Sequence, residues 1–160
     1  MKTLLVFDIN GTLLLRKNNN VYVRNGLQKL KDYCFSIADV AIYTSMLNKN
    51  IKLEHIFSND EIERLVFIWD RSKTIKDKNG INKWDTLKSL EYIKKEYPNY
   101  DKIIIIDDSE NKLRFIPIEN KIIINPFENI NENDGVLVEL IDLIKSKLSL
   151  NEKFDRFSRS

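Results

Sequence analysis

Lys102-Ile103-Ile104-Ile105-Ile106-Asp107-Asp108-Ser109 is the stretch that decides the fold. Four successive isoleucines leave no polar face, and a β-branched run of that length fits a strand covered on both sides, as strands of a parallel sheet are. It reads as the sheet centre, with two carboxylates at its carboxyl end. Upstream, Trp84 to Tyr97 carries Leu87, Leu90, Tyr92 and Ile93 among lysines and glutamates and stops at Pro98, which predicts an amphipathic helix feeding that strand.

The same alternation continues on both sides. Residues 3–9, Thr-Leu-Leu-Val-Phe-Asp-Ile, predict a buried strand ending in the turn Asn10-Gly11-Thr12, and Asn25 to Tyr33 has helical spacing through Leu27, Leu30 and Tyr33. Ala38 to Tyr43 predicts a second buried strand ending in Thr44-Ser45, Leu47 to Phe57 a helix, and residues 65–69 a third strand. After the isoleucines, Lys121 to Asn125 predicts a further strand and Asp134 to Leu148 a last helix, started by Asn133 or Asp134. Strands alternating with helices imply an α/β fold: a three-layer, doubly wound, mostly parallel sheet of Rossmann-like kind. In such sheets ligands gather beyond the carboxyl ends of the strands. The chemistry is therefore expected near Asp8, Thr44 and Asp107.

The 160 residues suit one domain, taken as 1–150, with the polar stretch Asn151–Ser160 expected to be a flexible tail. With 42% hydrophobic and 31% charged residues, four Gly and three Pro, the chain can bury a core. A net charge of +2 supplies no global field for nucleic acid or an anionic membrane, so a nucleic-acid partner is not expected. Neither a secretory signal nor a run approaching ~20 apolar residues is present, so no membrane partner is expected. Cys34 is the single cysteine, which excludes an internal disulfide and fits a reducing compartment, cytoplasmic or nuclear. His55 is the single histidine, placed on an apolar stripe and read as structural.

Phe7-Asp8-Ile9-Asn10-Gly11-Thr12-Leu13 resembles the first motif of the haloacid-dehalogenase superfamily, hydrophobic-D-x-D-x-T-L, with Asn10 in place of the second aspartate. Thr44 in Val-Ala-Ile-Tyr-Thr-Ser resembles the second motif, Asp107-Asp108-Ser109 the fourth, and Lys83 is the choice for the third because it precedes the helix entering the isoleucine strand. Lys73, Lys76 and Lys78 lie in the same polar stretch. Tyr22-Val23-Arg24-Asn25-Gly26-Leu27 and Ile124-Asn125-Pro126-Phe127-Glu128 resemble elements of the branch acting on the C-terminal domain of RNA polymerase II, which has no large cap. The connection from Leu13 to Arg24 is short enough to be a loop or small hairpin.

The resemblance implies a phosphatase working through an aspartyl-phosphate on Asp8. Mg2+ would be held by Asp8, the Asn10 backbone carbonyl and Asp108, and Asp107 would position the lysine or the metal's waters. Gly11, Thr12, Thr44, Ser45 and Lys83 would bind the phosphoryl oxygens, and a phosphorylated Ser or Thr in a protein would be the substrate. In the motif, the residue at position 10 passes protons to the leaving group and from water, which an amide cannot do. Three readings of Asn10 follow: a slow phosphatase for leaving groups needing little protonation, an inactive phosphopeptide-binding or assembly module, or an engineered acid/base knockout. Phosphatase action on nucleic-acid ends is weaker still, given the modest charge.

Overall fold

Every residue of the first strand, β1 (Thr3–Phe7), is buried, because side chains alternate between two faces that are both covered. A computed structural model describes residues 1–158, with side chains described to residue 149. Two short strands, β2 (Leu14–Lys17) and β3 (Asn20–Val23), follow β1 as an antiparallel hairpin. Its two-residue turn, Asn18-Asn19, has positive φ at both positions, which asparagine tolerates and hairpin twist favours. Then come α1 (Leu27–Ile37), β4 (Asp39–Tyr43), two 3-10 turns at Asn48–Asn50 and Leu53–His55, α2 (Asn59–Arg64) and β5 (Ile68–Trp69). The hairpin of β6 (Ile75–Lys76) and β7 (Thr86–Leu87) leads to α3 (Leu90–Glu96), β8 (Lys102–Asp107), β9 (Lys121–Ile123) and α4 (Val136–Ser158).

The main sheet has the order β5-β4-β1-β8-β9, and every pairing in it is parallel. On one face Leu5, Phe7, Val40, Ile42, Ile104 and Ile106 pack with Leu30 and Cys34 of α1 and Leu140 and Ile144 of α4. On the other, Leu4, Val6, Ala41, Tyr43, Ile103 and Ile105 pack with Leu90 and Ile93 of α3. This is the expected three-layer α/β architecture, and no segment among the described residues is large enough to be a cap domain.

Several local expectations are corrected. The isoleucine strand β8 is interior, but β1 occupies the middle of the five. Leu47–Phe57 holds two 3-10 turns rather than a helix, while the helix in that region, α2, begins at Asn59 with Ser58 as its N-cap. There the Ser58 side chain accepts from the Glu61 N–H and the Glu61 carboxylate accepts from the Ser58 N–H, a capping box. The third strand shrinks to Ile68–Trp69. The helix expected from Trp84 starts only at Leu90, because Thr86 and Leu87 pair with Lys76 and Ile75 instead. The last helix runs to Ser158 rather than Leu148, so the backbone of the expected tail is helical to that point, and residues 159–160 lie outside the described residues.

Candidate active site

Parallel pairing sets the site. Phe7 stands level with Ile42 of β4 and Ile106 of β8, and the Asp8 N–H donates to the Ile106 carbonyl at 3.0 Å, so Asp8 and Asp107 leave the sheet side by side at its carboxyl edge. Thr44 follows β4 at the same edge.

Asp8 is held from two sides. The Thr12 hydroxyl lies 3.0 Å from Asp8 Oδ2 and 3.3 Å from Asp108 Oδ1, and the Lys88 ammonium donates to Asp8 Oδ1 at 3.2 Å. Lys88 Nζ lies closer to Asp107 Oδ2, at 2.5 Å, and its side chain is fully buried. Asp107 also accepts from the Ser109 N–H at 3.0 Å, which fixes the other end of its carboxylate. The turn between β1 and the first hairpin is tightened by Gly11, whose N–H donates to the Leu14 carbonyl (2.8 Å) and whose carbonyl accepts from Phe127 N–H (2.7 Å). Arg24 reaches the same turn from behind, donating to the Thr12 carbonyl at 3.3 Å while pairing with Asp134 at 2.9 Å.

The charges do not balance. Three carboxylates, Asp8, Asp107 and Asp108, offer oxygens within 4.8 Å of one another, against the single ammonium of Lys88. Burial pushes the Asp8 carboxyl up to about 8; Lys88 pulls it back, and Asp107 and Asp108 add to the rise. Asp108 is also raised, by burial first and by its neighbour Asp107 next. Asp107 goes the other way: burial opposes its charge, but Lys88 outweighs burial and holds it below the ordinary range. For Lys88, burial disfavours the charge, and the two aspartates override it and raise it above the ordinary range. Since Lys88 is nearer to Asp107, its charge serves that partner first and Asp8 is left short. A hard divalent cation held by carboxylate oxygens is the species that would make up the deficit, so the residues fit the metal that the motif implies.

Among the expected residues, Asp8, Thr12, Asp107 and Asp108 are brought into contact. Gly11 touches Asp108 closely enough to exclude any side chain. Thr44 is buried, its hydroxyl oxygen accepting from the Met46 N–H at 3.1 Å, and Ser45 is half-buried beside it. Thr12 N–H donates to the Ile9 carbonyl at 3.2 Å, so with Gly11 N–H bound to Leu14 both of these turn amides are already engaged. Asn10 is exposed, and its side-chain oxygen accepts from the Arg16 N–H at 3.2 Å.

Lys83 does not stand beside Asp8: it is exposed between the strands of the β6/β7 hairpin, and the lysine that pairs with Asp8 and Asp107 is Lys88. Lys73 pairs with Glu96, and Lys76 and Lys78 are exposed. Lys88, like Lys83, precedes α3, but that helix begins six residues later than its apolar pattern suggests. Ser89, whose hydroxyl accepts from the Tyr92 N–H at 3.2 Å, is the N-cap, and Ser89 followed by Leu90 and Ile93 was the available signal. His55 is exposed in a 3-10 turn and Cys34 is a buried core residue.

The sequence matches the model of NLI interacting factor-like phosphatases over residues 3–156. The chain belongs to that family. In structure it resembles fission yeast RNA polymerase II CTD phosphatase Fcp1, a variant bound to beryllium fluoride, with a TM-score of 0.56 and 14% identity over 94% of this chain and 51% of that one. A second structure of Fcp1, described as an essential RNA polymerase II CTD phosphatase, gives 0.56 and 14% over 94% of this chain and 49% of the other. The chain thus spans about half the length of those relatives, and the likeness is one of fold. No curated protein is significantly similar in sequence. No helix among the described residues is long and apolar enough to cross a membrane.

Proposed function

We propose that this chain is a Mg2+-dependent phosphoprotein phosphatase that transfers a phosphoryl group to Asp8. The observation that carries the reading is the placement of the Asp8 carboxylate between the Thr12 hydroxyl and the Lys88 ammonium, beside Asp107 and Asp108. A carboxylate attacks phosphorus well only where the repulsion between anions is cancelled and its own orientation is fixed. An Asp8 oxygen would form a bond to phosphorus as the bond to the seryl or threonyl oxygen breaks, giving an acyl phosphate that water then hydrolyses. Lys88 would lie against the phosphoryl oxygens with Thr44 and Ser45 from the neighbouring strand end. Asp107 would hold Lys88 in place. Mg2+, bound by Asp8, Asp108 and the Asn10 backbone carbonyl, would neutralise charge on the phosphoryl oxygens.

Asn10 sets the rate. Its amide hydrogen-bonds but exchanges no proton, so the proton transfer worth about 10²–10⁴-fold at that position is missing. In the chain the site residues are flanked by nothing larger than two small hairpins, β2/β3 after Thr12 and β6/β7 before Lys88, and an extended phosphorylated segment is the substrate that this reading favours. Fcp1 is by name a phosphatase of the RNA polymerase II CTD, and a cytoplasmic or nuclear phosphoprotein is the corresponding partner here. A second reading, a phosphopeptide-binding module, is favoured by the tie between Asn10 and the Arg16 N–H, which makes the side chain part of the hairpin.

Hydrolysis of an aryl phosphate and of a phosphoserine peptide, each with and without Mg2+, separates the two. The phosphatase hydrolyses the aryl ester faster, because a phenolate leaves without a proton, and Asn10→Asp raises turnover of the peptide. A binding module hydrolyses neither, and Asn10→Asp does not change that.

A further inference from the structure

Tyr43, the last residue of β4, stands outside the acidic cluster, yet it meets Lys88, the next residue Ser89, and Lys73 at the other end of the segment that leads there. It is fully buried, on the α3 side of the sheet. Its hydroxyl donates to the Lys73 carbonyl at 2.5 Å and accepts from the Ser89 N–H at 3.1 Å. The Lys88 ammonium lies 5.6 Å from the centre of its ring. One side chain therefore ties together the two ends of the segment 73–89, which contains the β6/β7 hairpin, and lies against the cation that the segment delivers. Trp69 meets the ring edge-on at 5.3 Å and fixes its plane.

The two capped helices show why the hydroxyl is needed. In α2 the N–H of the capping serine, Ser58, is satisfied by the carboxylate of Glu61, three residues on. In α3 the residue three on from Ser89 is Tyr92, which returns no such bond; the Ser89 N–H goes to Tyr43 instead. Ser89 is buried, so its N–H requires a partner. A neutral hydroxyl fills that place directly after Lys88, whereas a carboxylate there would compete with Asp8 and Asp107 for the ammonium. The Lys88 N–H is fixed in turn by the Lys112 carbonyl at 3.0 Å. Successive backbone amides on either side of the Lys88 side chain are thereby both held.

We infer that Tyr43 is the positioning residue for Lys88, its hydroxyl setting where the ammonium stands between Asp8 and Asp107. The inference rests on the reading that Lys88 serves phosphoryl transfer at Asp8.

Tyr43→Phe keeps the ring and removes the clamp; Tyr100→Phe, which loses a hydroxyl bond to Asp39 at the opposite end of β4, is the control. Two measurements are made on the full chain: Mg2+-dependent hydrolysis of an aryl phosphate, and the rate at which each lysine is acetylated, read by peptide mass spectrometry. In Tyr43→Phe, kcat is expected to fall about tenfold or more with KM little changed, since misplacement by ~1 Å can cost 10²-fold. Acetylation of Lys88 is expected to rise at least fivefold while exposed Lys83 and Lys76 react as before. Tyr100→Phe moves neither readout. Unaltered Lys88 acetylation in a Tyr43→Phe chain that still melts cooperatively overturns the inference. So does an equal rise at every lysine, which reports general loosening. If the unmodified chain hydrolyses no phosphate, the proposed function fails, and the labelling alone decides the role of Tyr43.

Discussion

Gly11 stands where no other residue fits beside Asp108: a Cβ added to it would lie 2.6 Å from Asp108 Oδ2, and its φ of +84° is one that side chains rarely adopt. The first motif and the fourth thus meet at a point of contact between a bare backbone and a carboxylate. Gly11→Ala must move Asp108, the turn, or both. The expected result is a loss of at least tenfold in Mg2+ affinity, measured by titration calorimetry, with a melting temperature lowered by several degrees.

Lys88 and Lys83 give opposite outcomes. Lys88→Met leaves Asp8 and Asp107 buried with no cation between them, and breaking a buried pair by removing one partner costs on the order of 3–5 kcal/mol. Urea unfolding of the metal-free protein at neutral pH checks this, and phosphatase activity is expected to disappear. Lys83→Ala changes an exposed side chain and shifts stability by no more than about 0.5 kcal/mol, with turnover retained.

In the metal-free protein Asp8 titrates near 8 rather than at the ordinary carboxylate value of 3.8. A carboxyl raised on folding makes the folded state hold the proton that the unfolded state has released, so stability falls as pH rises from about 4 to 8. A divalent cation that takes the proton's place reverses the trend. Melting curves from pH 5 to 9 with and without Mg2+ test this, and calorimetry in buffers of different ionisation enthalpy is expected to show proton release on Mg2+ binding below pH 8.

Arg24 joins the end of the first hairpin to the start of α4. Its guanidinium pairs with Asp134 at 2.9 Å, donates to the Thr12 carbonyl and lies 5.4 Å from the centre of the Phe127 ring. Arg24→Met is expected to destabilise by about 3 kcal/mol or more, because Asp134 stays buried without its partner. The double variant Arg24→Met, Asp134→Asn is expected to lose less than the sum of the single changes, and a double-mutant cycle from chemical denaturation reads the difference.

The residues that an unbroken apolar strand delivers were legible in the sequence: Asp8 after β1, Thr44 after β4, and Asp107 and Asp108 after the isoleucines. A strand with both faces buried fixes its own ends, and parallel pairing then puts those ends together. The sequence points to Lys83 and not to Lys88, the lysine beside Asp8, because helical spacing from Leu87 to Ile93 extends equally well backwards to Trp84, while the pairing of Thr86 and Leu87 with Lys76 and Ile75 is a tertiary event with no periodic signature. The capping signal at Ser89 was present but weaker than the periodicity. Leu47 to Phe57 failed for a related reason: Ile51, Leu53 and Ile56 face the core from two 3-10 turns as readily as from one helix. The role of Tyr43 lay beyond any local pattern, since its partners are 30 and 46 residues away.

The four charged groups of the cluster stand at positions 8, 88, 107 and 108, and the strand that brings the last two is laid against β1 only after some hundred residues beyond Asp8 have been made. A nascent chain emerging from the ribosome therefore carries Asp8 on a strand edge still lacking its neighbour. Whatever chemistry the cluster performs can switch on only once synthesis has passed β8, so its appearance during translation would time the completion of the sheet.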